Sequence, residues 1–310
     1  MKGFGCMYLE YYLNLLEYNN MPEFLIKYLD VPSLVRLKKV GYFCGMDYAS
    51  KSIYNFREYI SRFDHSLTVC LLTYKLTNDK VMALAGLFHD IATPCFSHVI
   101  DYMNKDYEQQ ESTEEKTEEI LMRDKYLRKC LEEDKIDIRD IINFKKYPIV
   151  DNDRPKLCAD RLDGVILTGI GWTKNITFDD IKQIVDSLKV FKNEFEEDEI
   201  GFTSLNVSSK VVEISKSIDI YCHSKEDNYM MELLAKITRL AIDKKYIDYD
   251  DLYYYDEEDL FDIFKSLNDN EMLSLLTIFQ NIKLGDIPSI KLPNIKIRKL
   301  NPLFNSKRIM

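Results

Sequence analysis

The apolar run of residues 81–88, VMALAGLF, ends directly in a histidine and an aspartate, His89 and Asp90. Residues of this kind lie mostly inside folded proteins, so the run belongs in a core. A carboxylate at the end of such a run is costly to bury unless it is paired or bound to a metal ion. The 310-residue chain has only four histidines, and His98 lies in the same stretch. Any fold of this chain must therefore give the imidazole and the carboxylate a partner.

Helical periodicity dominates the chain, and residues 62–76 show it clearly. Four side chains recur there at i, i+4, i+7 and i+11, on one helix face: His65, Val69, Leu72 and Leu76. Asn78 or Asp79 can cap the next helix, which the apolar run completes, and Pro94 marks its exit. Glycine and proline number only 10 and 8, which argues against a sandwich or barrel built on many tight turns. The pattern predicts a mainly α fold.

Later segments extend this prediction. Four of them indicate further helices: residues 112–134, 156–167, 178–195 and 213–244. Ser112 provides a capping signal for the first of these. Residues 198–210 indicate a turn or a brief strand. Only residues 287–300, IPSIKLPNIKIRKL, alternate apolar and polar side chains near period two, so they are the best strand candidate.

Charge and cysteine content limit the classes of partner. The net charge of -10 disfavours binding to nucleic acid or to an anionic membrane. No apolar run reaches the roughly 18 residues of a membrane span, and the N-terminus lacks the cleavage site of a signal peptide. The seven cysteines are scattered and never spaced as Cys-x-x-Cys, which is typical of reduced thiols. We therefore expect a cytoplasmic protein.

The charge is uneven along the chain. Residues 283–310 hold seven Lys or Arg and one Asp, a local charge of +6 that leaves -16 on the rest. Four isoleucines in this tail are too apolar to leave in water: Ile287, Ile290, Ile295 and Ile297. We expect the basic tail to pack on the acidic body of its own chain or of another subunit, within a homo-oligomer and most simply a homodimer.

Four polar side chains fall on or beside apolar helix faces: His65, His89, Asp90 and Asp160. A lone inward-facing histidine is commonly a core residue, and a His-Asp dipeptide recurs by chance. Two imidazoles and two carboxylates together are awkward to bury one by one, whereas one divalent cation would satisfy all four. A mixed nitrogen and oxygen set suits Mn, Fe, Ni, Zn or Mg, with water in the open positions. The residues alone favour a site for one divalent metal ion per chain.

The order of these residues resembles the H…HD…D signature of the HD-domain superfamily of metal-dependent phosphohydrolases. The context is most similar to the deoxynucleoside-triphosphate triphosphohydrolase (dGTPase-like) branch. RFDHSLTV at residues 62–69 resembles the R-F-x-H-S-L motif of that branch, HDIATPCFSH at 89–98 its H-D-x-x-H-x-P-F-S-H motif, and ADRLDG at 159–164 its D-x-x-D-Y motif. The resemblance implies a helical HD bundle in residues 1–200. It further implies a C-terminal helical extension in residues 201–310, with a short β element and the basic tail packed on the core.

The resemblance also assigns roles residue by residue. It makes His65, His89, Asp90 and Asp160 the metal ligands, Arg62 and Arg161 phosphate contacts, His98 a catalytic histidine, and Asp101 and Glu114 the acidic residues that orient it. Thr93 and Thr113 stand where the branch has further histidines, and Gly164 stands where it has a tyrosine against the nucleotide. The implied metal site is complete, whereas the substrate contacts are fewer.

The implied function is hydrolysis of a nucleotide phosphate ester, with release of triphosphate from a (deoxy)nucleoside triphosphate as one form. Two alternatives stay open from the sequence. The ester can be a different one, such as a nucleoside monophosphate or a cyclic nucleotide. The chain can also be a metal-bearing module that senses a nucleotide and hydrolyses little.

Overall fold

The computed structural model describes residues 7–108, 110, 115–290 and 293–309. Within these ranges fifteen α-helices form: α1 (Met7–Leu15), α2 (Glu23–Ile26), α3 (Pro32–Arg36), α4 (Arg62–Thr77), α5 (Lys80–Phe88), α6 (Val99–Asn104), α7 (Thr117–Arg123), α8 (Lys125–Asp134), α9 (Ile138–Ile142), α10 (Ala159–Gly171), α11 (Phe178–Ser187), α12 (Leu205–Cys222), α13 (Lys225–Asp243), α14 (Glu257–Ser266) and α15 (Asn270–Asn281). The prediction of a mainly α fold is confirmed.

A small four-stranded sheet completes the fold in the C-terminal part. Its strands, in spatial order, are β1 (Leu188–Lys192), β2 (Asp198–Phe202), β3 (Leu303–Phe304) and β4 (Lys307–Arg308). β2 pairs antiparallel with β1 and parallel with β3, and β4 returns antiparallel to β3. The short strand predicted within residues 198–210 is confirmed as β2.

The hairpin of α4 and α5 carries the centre of the fold. Ser61 begins α4 with a capping box, because its backbone N–H donates to the Asp64 carboxylate and its hydroxyl oxygen accepts from the Asp64 N–H. Asn78 ends α4 in the left-handed conformation, and Asp79 begins α5 by accepting from the Met82 N–H. α5 and α10 both pack on α4. The start of α4, the end of α5 and the start of α10 therefore meet.

Two predicted helices are divided in the structure. Residues 178–195 hold α11 only as far as Ser187, and β1 follows at once, where residues 188–192 pair antiparallel with β2. Residues 213–244 belong to two helices, since the chain breaks after Cys222 and Ser224 caps α13 by accepting from the Asp227 N–H.

The helix predicted over residues 112–134 is also divided. α7 ends at Arg123, and Asp124 caps α8 by accepting from the Leu127 N–H. An internal capping aspartate starts a new helix where the periodicity alone continues the old one. The capping signal at Ser112 lies outside the described residues.

The strand predicted at 287–300 is wrong for the described residues 287–290 and 293–300, which contain no strand. Pro288 and Pro293 interrupt the segment, and proline has no N–H for a strand ladder. The backbone bonds elsewhere: the Arg298 N–H donates to the Asp219 carboxylate at 3.0 Å. Strand pairing begins only a few residues later, at β3.

The basic tail lies against the body of its own chain. Ile287 and Ile295 are buried, whereas Ile297 is 60% exposed and so does not follow the expectation of burial. Near the chain end, the Arg308 guanidinium donates to both oxygens of the fully buried Glu199 carboxylate on β2, at 2.5 and 2.8 Å. This bidentate ion pair holds β4 to the sheet.

One continuous cluster of buried apolar side chains runs from α1 to α15. It joins residues on both sides of position 200, and the division into a 1–200 core and a 201–310 extension stays a prediction. No helix in the described ranges has the length and apolar character required to cross a membrane.

Candidate metal centre

Three helix ends bring the candidate ligands together. His65 lies in the first turn of α4, His89 directly follows α5, and Asp160 lies in the first turn of α10. Their ligand atoms all lie within 4.8 Å of one another. Oδ1 of Asp160 is 3.1 Å from Nε2 of His65 and 3.6 Å from Nε2 of His89. The structure therefore assembles three of the four residues that the sequence predicts as ligands.

Hydrogen bonds on the far side of each ring turn both imidazoles toward this centre. His65 donates from Nδ1 to the buried Asp163 carboxylate at 2.7 Å, and His89 donates from Nδ1 to the Gly86 carbonyl at 2.8 Å. Such bonds leave Nε2 as the atom that can bind a metal ion. Asp163 was visible in the sequence three residues after Asp160, but only the packing of α10 on α4 shows its role.

Nε2 of His89 is buried and has no hydrogen-bond partner among the described residues. Buried polar atoms are nearly always satisfied, so an orphaned one requires an explanation. Nε2 of His89 lies beside a second imidazole and a carboxylate. Together these nitrogen and oxygen atoms are the donor set expected for a divalent cation such as Zn, Mn, Fe or Ni. The residues present therefore fit a metal ion.

Asp90, the fourth predicted ligand, lies beside this group. Its Oδ2 lies 3.8 Å from Nε2 of His65, and its Oδ1 lies 3.8 Å from Nε2 of His89. Arg62 donates a hydrogen bond to Oδ2 at 2.9 Å. Burial acts to raise the pKa of Asp90, but the charges of His89, Arg62 and His65 prevail and hold it at about 2. Asp90 therefore stays ionised and adds negative charge next to the three assembled atoms.

The imidazoles and carboxylates of the centre shift one another's pKa values. Burial opposes protonation of His65, but its bonds to Asp160 and Asp163 prevail and raise its pKa to about 10. Burial acts to raise the pKa of Asp160, but its bond to His65 and the charges of the His89 and His65 imidazoles hold it well below its usual range. A metal ion held by these residues would take the place of a proton on the imidazole, so its binding would release protons.

The two predicted phosphate contacts line the same cavity, a space of about 910 Å³ that also contains the metal centre. Arg62 is buried, bonds Asp90 and lies over the ring of Tyr42 at 4.9 Å. Arg161 donates to the Asp151 carboxylate at 2.9 Å and to the Asn152 side-chain oxygen at 2.7 Å. Both guanidinium groups thus border the centre while held by neighbours.

Further cations border the cavity that sequence reasoning did not select. They come from loops and from the tail: Lys146, Arg154, Lys156 and Arg298. Burial lowers the pKa of Arg154 to about 10, and repulsion from Arg161 and Arg298 adds to that effect. Such a group of like charges favours an anion. No periodic pattern marked these residues, because the fold brings them together from distant segments.

His98 lies on the same cavity with its side chain 32% exposed. Its Nδ1 donates to the fully buried Asp101 carboxylate at 2.8 Å, which leaves Nε2 available. The predicted pairing of His98 with Asp101 is therefore present in the structure. Glu114, the alternative partner, lies outside the described residues, as does Thr113.

The turn before His98 has a strained backbone and is held by residues of other elements. Phe96 and Ser97 have φ of 66° and 46°, a left-handed region that non-glycine residues rarely adopt. The Phe96 N–H donates to the buried Glu257 carboxylate at 3.3 Å, and Arg36 donates to the Thr93 carbonyl at 2.5 Å. Partners from α3 and α14 thus fix the direction of this turn.

Tyr42 occupies the space that Gly164 leaves open. Its hydroxyl oxygen lies 3.0 Å from where a Cβ on Gly164 would stand, and its ring centroid is 5.1 Å from that of His65. An aromatic ring therefore borders the centre even though α10 has glycine where tyrosine was expected. It arrives from a distant part of the chain, which is why the motif alone did not show it.

Comparisons with known proteins agree with this geometry. Residues 62–166 match the HD domain family, a range that contains all four predicted metal ligands. The chain is 28% identical over 226 residues to the uncharacterized protein YdhJ of Bacillus subtilis, covering 70% of this chain and 65% of that protein. It is 27% identical over 141 residues to the metal-dependent phosphohydrolase cns2 of Cordyceps militaris, covering 43% of this chain and 37% of that protein. The matches thus span less than two thirds of either relative.

Proposed function

We propose, from the HD domain in residues 62–166, that this protein is a metal-dependent phosphohydrolase that cleaves a phosphate ester of a nucleotide. Release of triphosphate from a (deoxy)nucleoside triphosphate is one form of this reaction. The observation that carries the proposal is the orphaned Nε2 of His89, which lies beside the ligand atoms of His65 and Asp160 in a cavity bordered by arginines. The name of the Cordyceps militaris relative supports the reaction class.

His65, His89, Asp90 and Asp160 would hold one divalent ion. When bound, the ion supplies positive charge to phosphate oxygens and makes water a better nucleophile near neutral pH. Arg161 would orient and neutralise the spectator phosphate oxygens, and Arg62, paired with Asp90, would help to keep Asp90 ionised beside the centre. These contributions are electrostatic and positional.

His98 would act as the general acid. Asp101 accepts from its Nδ1, so a protonated His98 presents an Nε2–H to the cavity and can give that proton to the leaving oxygen. Because Thr93 replaces a histidine and is buried with only a hydroxyl to offer, it cannot substitute as an imidazolium donor.

Two alternatives keep specific support. The ester can be that of a nucleoside monophosphate or a cyclic nucleotide, because the cations that line the cavity favour an anion without fixing its number of phosphates. A nucleotide-sensing module with little activity is the second alternative, since Arg62 and Arg161 both already have carboxylate partners.

The test is a panel of nucleoside mono-, di- and triphosphates and cyclic nucleotides, each with added Mn, Co, Ni or Mg. Products are resolved as phosphate, pyrophosphate or triphosphate. We expect metal-dependent turnover that is lost in His89→Ala. Nucleotide binding without turnover, under every metal, would support the sensing module instead.

A further inference from the structure

A continuous row of aromatic rings leads from the metal centre to the far end of the cavity. The ring of His65 lies 5.1 Å from that of Tyr42, and Tyr42 lies 5.5 Å from Phe43. Phe43 stacks on Phe56 at 4.3 Å, and Phe56 is 5.5 Å from Tyr54. All five residues line the cavity. Aromatic rings therefore wall the cavity at the end of this row, which we call the aromatic end.

One carboxyl group lies at this aromatic end. Asp227, in the first turn of α13, lines the cavity and is largely buried. The Tyr54 hydroxyl donates to its Oδ1 at 2.6 Å. No described residue donates to its Oδ2. Burial raises the pKa of Asp227 to about 7, against the opposing effects of the Tyr54 bond and the Arg298 charge.

The next residue along the chain differs from Asp227 in its hydrogen bonding. Asn228 is fully buried; its amide oxygen accepts from the Tyr102 hydroxyl at 2.8 Å, and its amide nitrogen donates to the carbonyls of Cys222 and Ser224. Each end of that side chain thus has protein partners, as a structural polar group requires. Asp227, which lines the cavity, has one described donor for its two carboxyl oxygens and so is left with an oxygen that can accept from a ligand.

The structure assigns Asp227 as a specificity-determining residue. Its Oδ2 accepts a hydrogen bond from the exocyclic amino group of an aromatic heterocycle, while Tyr54 holds Oδ1. This inference rests on the proposed function, because it concerns the part of the substrate farthest from the scissile phosphate. The occupant is an amino-bearing nucleobase rather than an oxo-bearing one.

The surroundings favour a heterocycle over a sugar or a phosphate. Phe56 and Trp172 are half-buried, their rings are 6.4 Å apart at 75°, and both border the cavity. Flat rings stack or meet edge to face with such walls. A phosphate would place negative charge against the Asp227 carboxyl. The amino group of the base is thus matched to the Asp227 carboxyl oxygen that no described residue bonds.

The experiment compares matched nucleotides that differ only in an amino or oxo group, using ATP against ITP and CTP against UTP, or the corresponding monophosphates if the panel selects them. At a pH well above 7, where the Asp227 carboxyl is ionised, we expect the kcat/KM ratio of amino to oxo substrate in the native protein to exceed about 10, because an oxo group would leave two acceptors facing each other. Asp227→Ala should bring the ratio close to 1.

Asp227→Asn provides the sharper variant, because it keeps the shape and the Tyr54 bond but offers an N–H in place of the acceptor. We expect its ratio to fall below 1, in favour of the oxo substrate. An unchanged ratio in both variants, each shown to be folded by circular dichroism and thermal unfolding, would overturn the inference. If only the asparagine variant folds, its reversal or lack of reversal decides the matter.

Binding separates this inference from the proposed function. Titration calorimetry with adenosine and with inosine, without phosphate or metal, should show tighter binding of adenosine by the native protein and loss of that preference in Asp227→Asn. A protein that hydrolyses no nucleotide yet prefers adenosine contradicts the proposed function alone. A protein that hydrolyses both members of each pair equally contradicts the assignment of Asp227 alone.

Discussion

Nδ1 of His65 donates to the buried Asp163 carboxylate at 2.7 Å, across the contact between α4 and α10. This bond holds Nε2 of His65 on the side of Asp160 and raises the electron density of the ring. The same helix, α10, therefore supplies one candidate ligand and the residue that orients another. The two carboxylates are separated by a single helical turn.

Replacing Asp163 with asparagine should weaken metal binding by about 10–100-fold, as for other residues that support a metal-binding histidine. The isosteric amide keeps the volume but removes the charge that orients and polarises the imidazole. Titration calorimetry with Mn or Zn on chelator-treated protein measures the effect. Asp179→Asn, a change on α11 away from the centre, is the control and should leave the affinity unchanged. Equal affinities in both variants would show that Asp163 has a packing role only.

Substitutions of His98 and of His89 should differ in their effects on metal content and turnover. His98→Ala is expected to lower turnover by about 10²–10⁴-fold while the metal stays bound, because it removes only a proton donor. His89→Ala should remove metal and activity together. Elemental analysis beside steady-state kinetics measures both quantities. Full activity in His98→Ala would exclude it as the general acid, and lost metal in that variant would make it a ligand or a support.

Glu257 should make the stability of the protein depend on pH. Burial raises the pKa of this carboxyl to about 8, and the nearby Asp47, with its own pKa raised to about 6, adds to the effect. Between pH 4.5, the ordinary value, and about 8, the folded protein keeps a proton that the unfolded chain releases. The free energy of unfolding therefore falls as pH rises through this window, by up to about 1.4 kcal/mol per pH unit from this group.

Glu257→Gln should flatten that dependence, since the amide is neutral at every pH. Urea unfolding at about pH 5.5 and about pH 8.5 measures the difference for the native protein and the variant. Asp47→Asn is the matched comparison: it should flatten the part of the curve below about pH 6 and also lower the pKa of Glu257, because it removes a nearby negative charge. If native protein and Glu257→Gln lose the same stability between the two pH values, Glu257 is ionised throughout.

The ion pair of Arg308 and Glu199 should be a large contributor to stability. Removing the guanidinium leaves a fully buried carboxylate with only neutral donors, the Leu157 N–H and the Asn193 amide. We expect Arg308→Ala to lower the free energy of unfolding by about 3 kcal/mol. The exposed neighbour Lys307→Ala should change it by less than about 0.5 kcal/mol. Chemical unfolding of the two variants checks the contrast.

The sequence is informative about the α4–α5 hairpin because its determinants are local. Apolar spacing places His65 inward, and caps at Asn78 and Asp79 separate the two helices. The predicted break after the apolar run is equally local. These features bring His65 and His89 to the same place once α4 and α5 pack together.

The rest of the site depends on contacts between distant segments, which no local pattern contains. Tyr42 reaches the metal centre from a loop, and Arg298 reaches the cavity from the tail. The strand prediction at 287–300 was wrong for a related reason. Alternating apolar and polar residues suggest strand pairing, but the prolines interrupt a strand ladder. The backbone instead bonds to other elements, as the Arg298 N–H does to the Asp219 carboxylate. Whether Arg62 contacts phosphate or only Asp90 depends on a bound substrate and stays a prediction.

The strained turn at Phe96 and Ser97 has a consequence for the order in which the protein matures. His65, His89 and Asp160 leave the ribosome well before Leu252 and Glu257, whose backbone and side chain hold that turn. A nascent chain that has reached residue 200 already contains every candidate ligand, yet the partners that direct His98 at the cavity are still to come. The direction of His98 toward the cavity is thus fixed only after α14 has been synthesised and has docked on this turn.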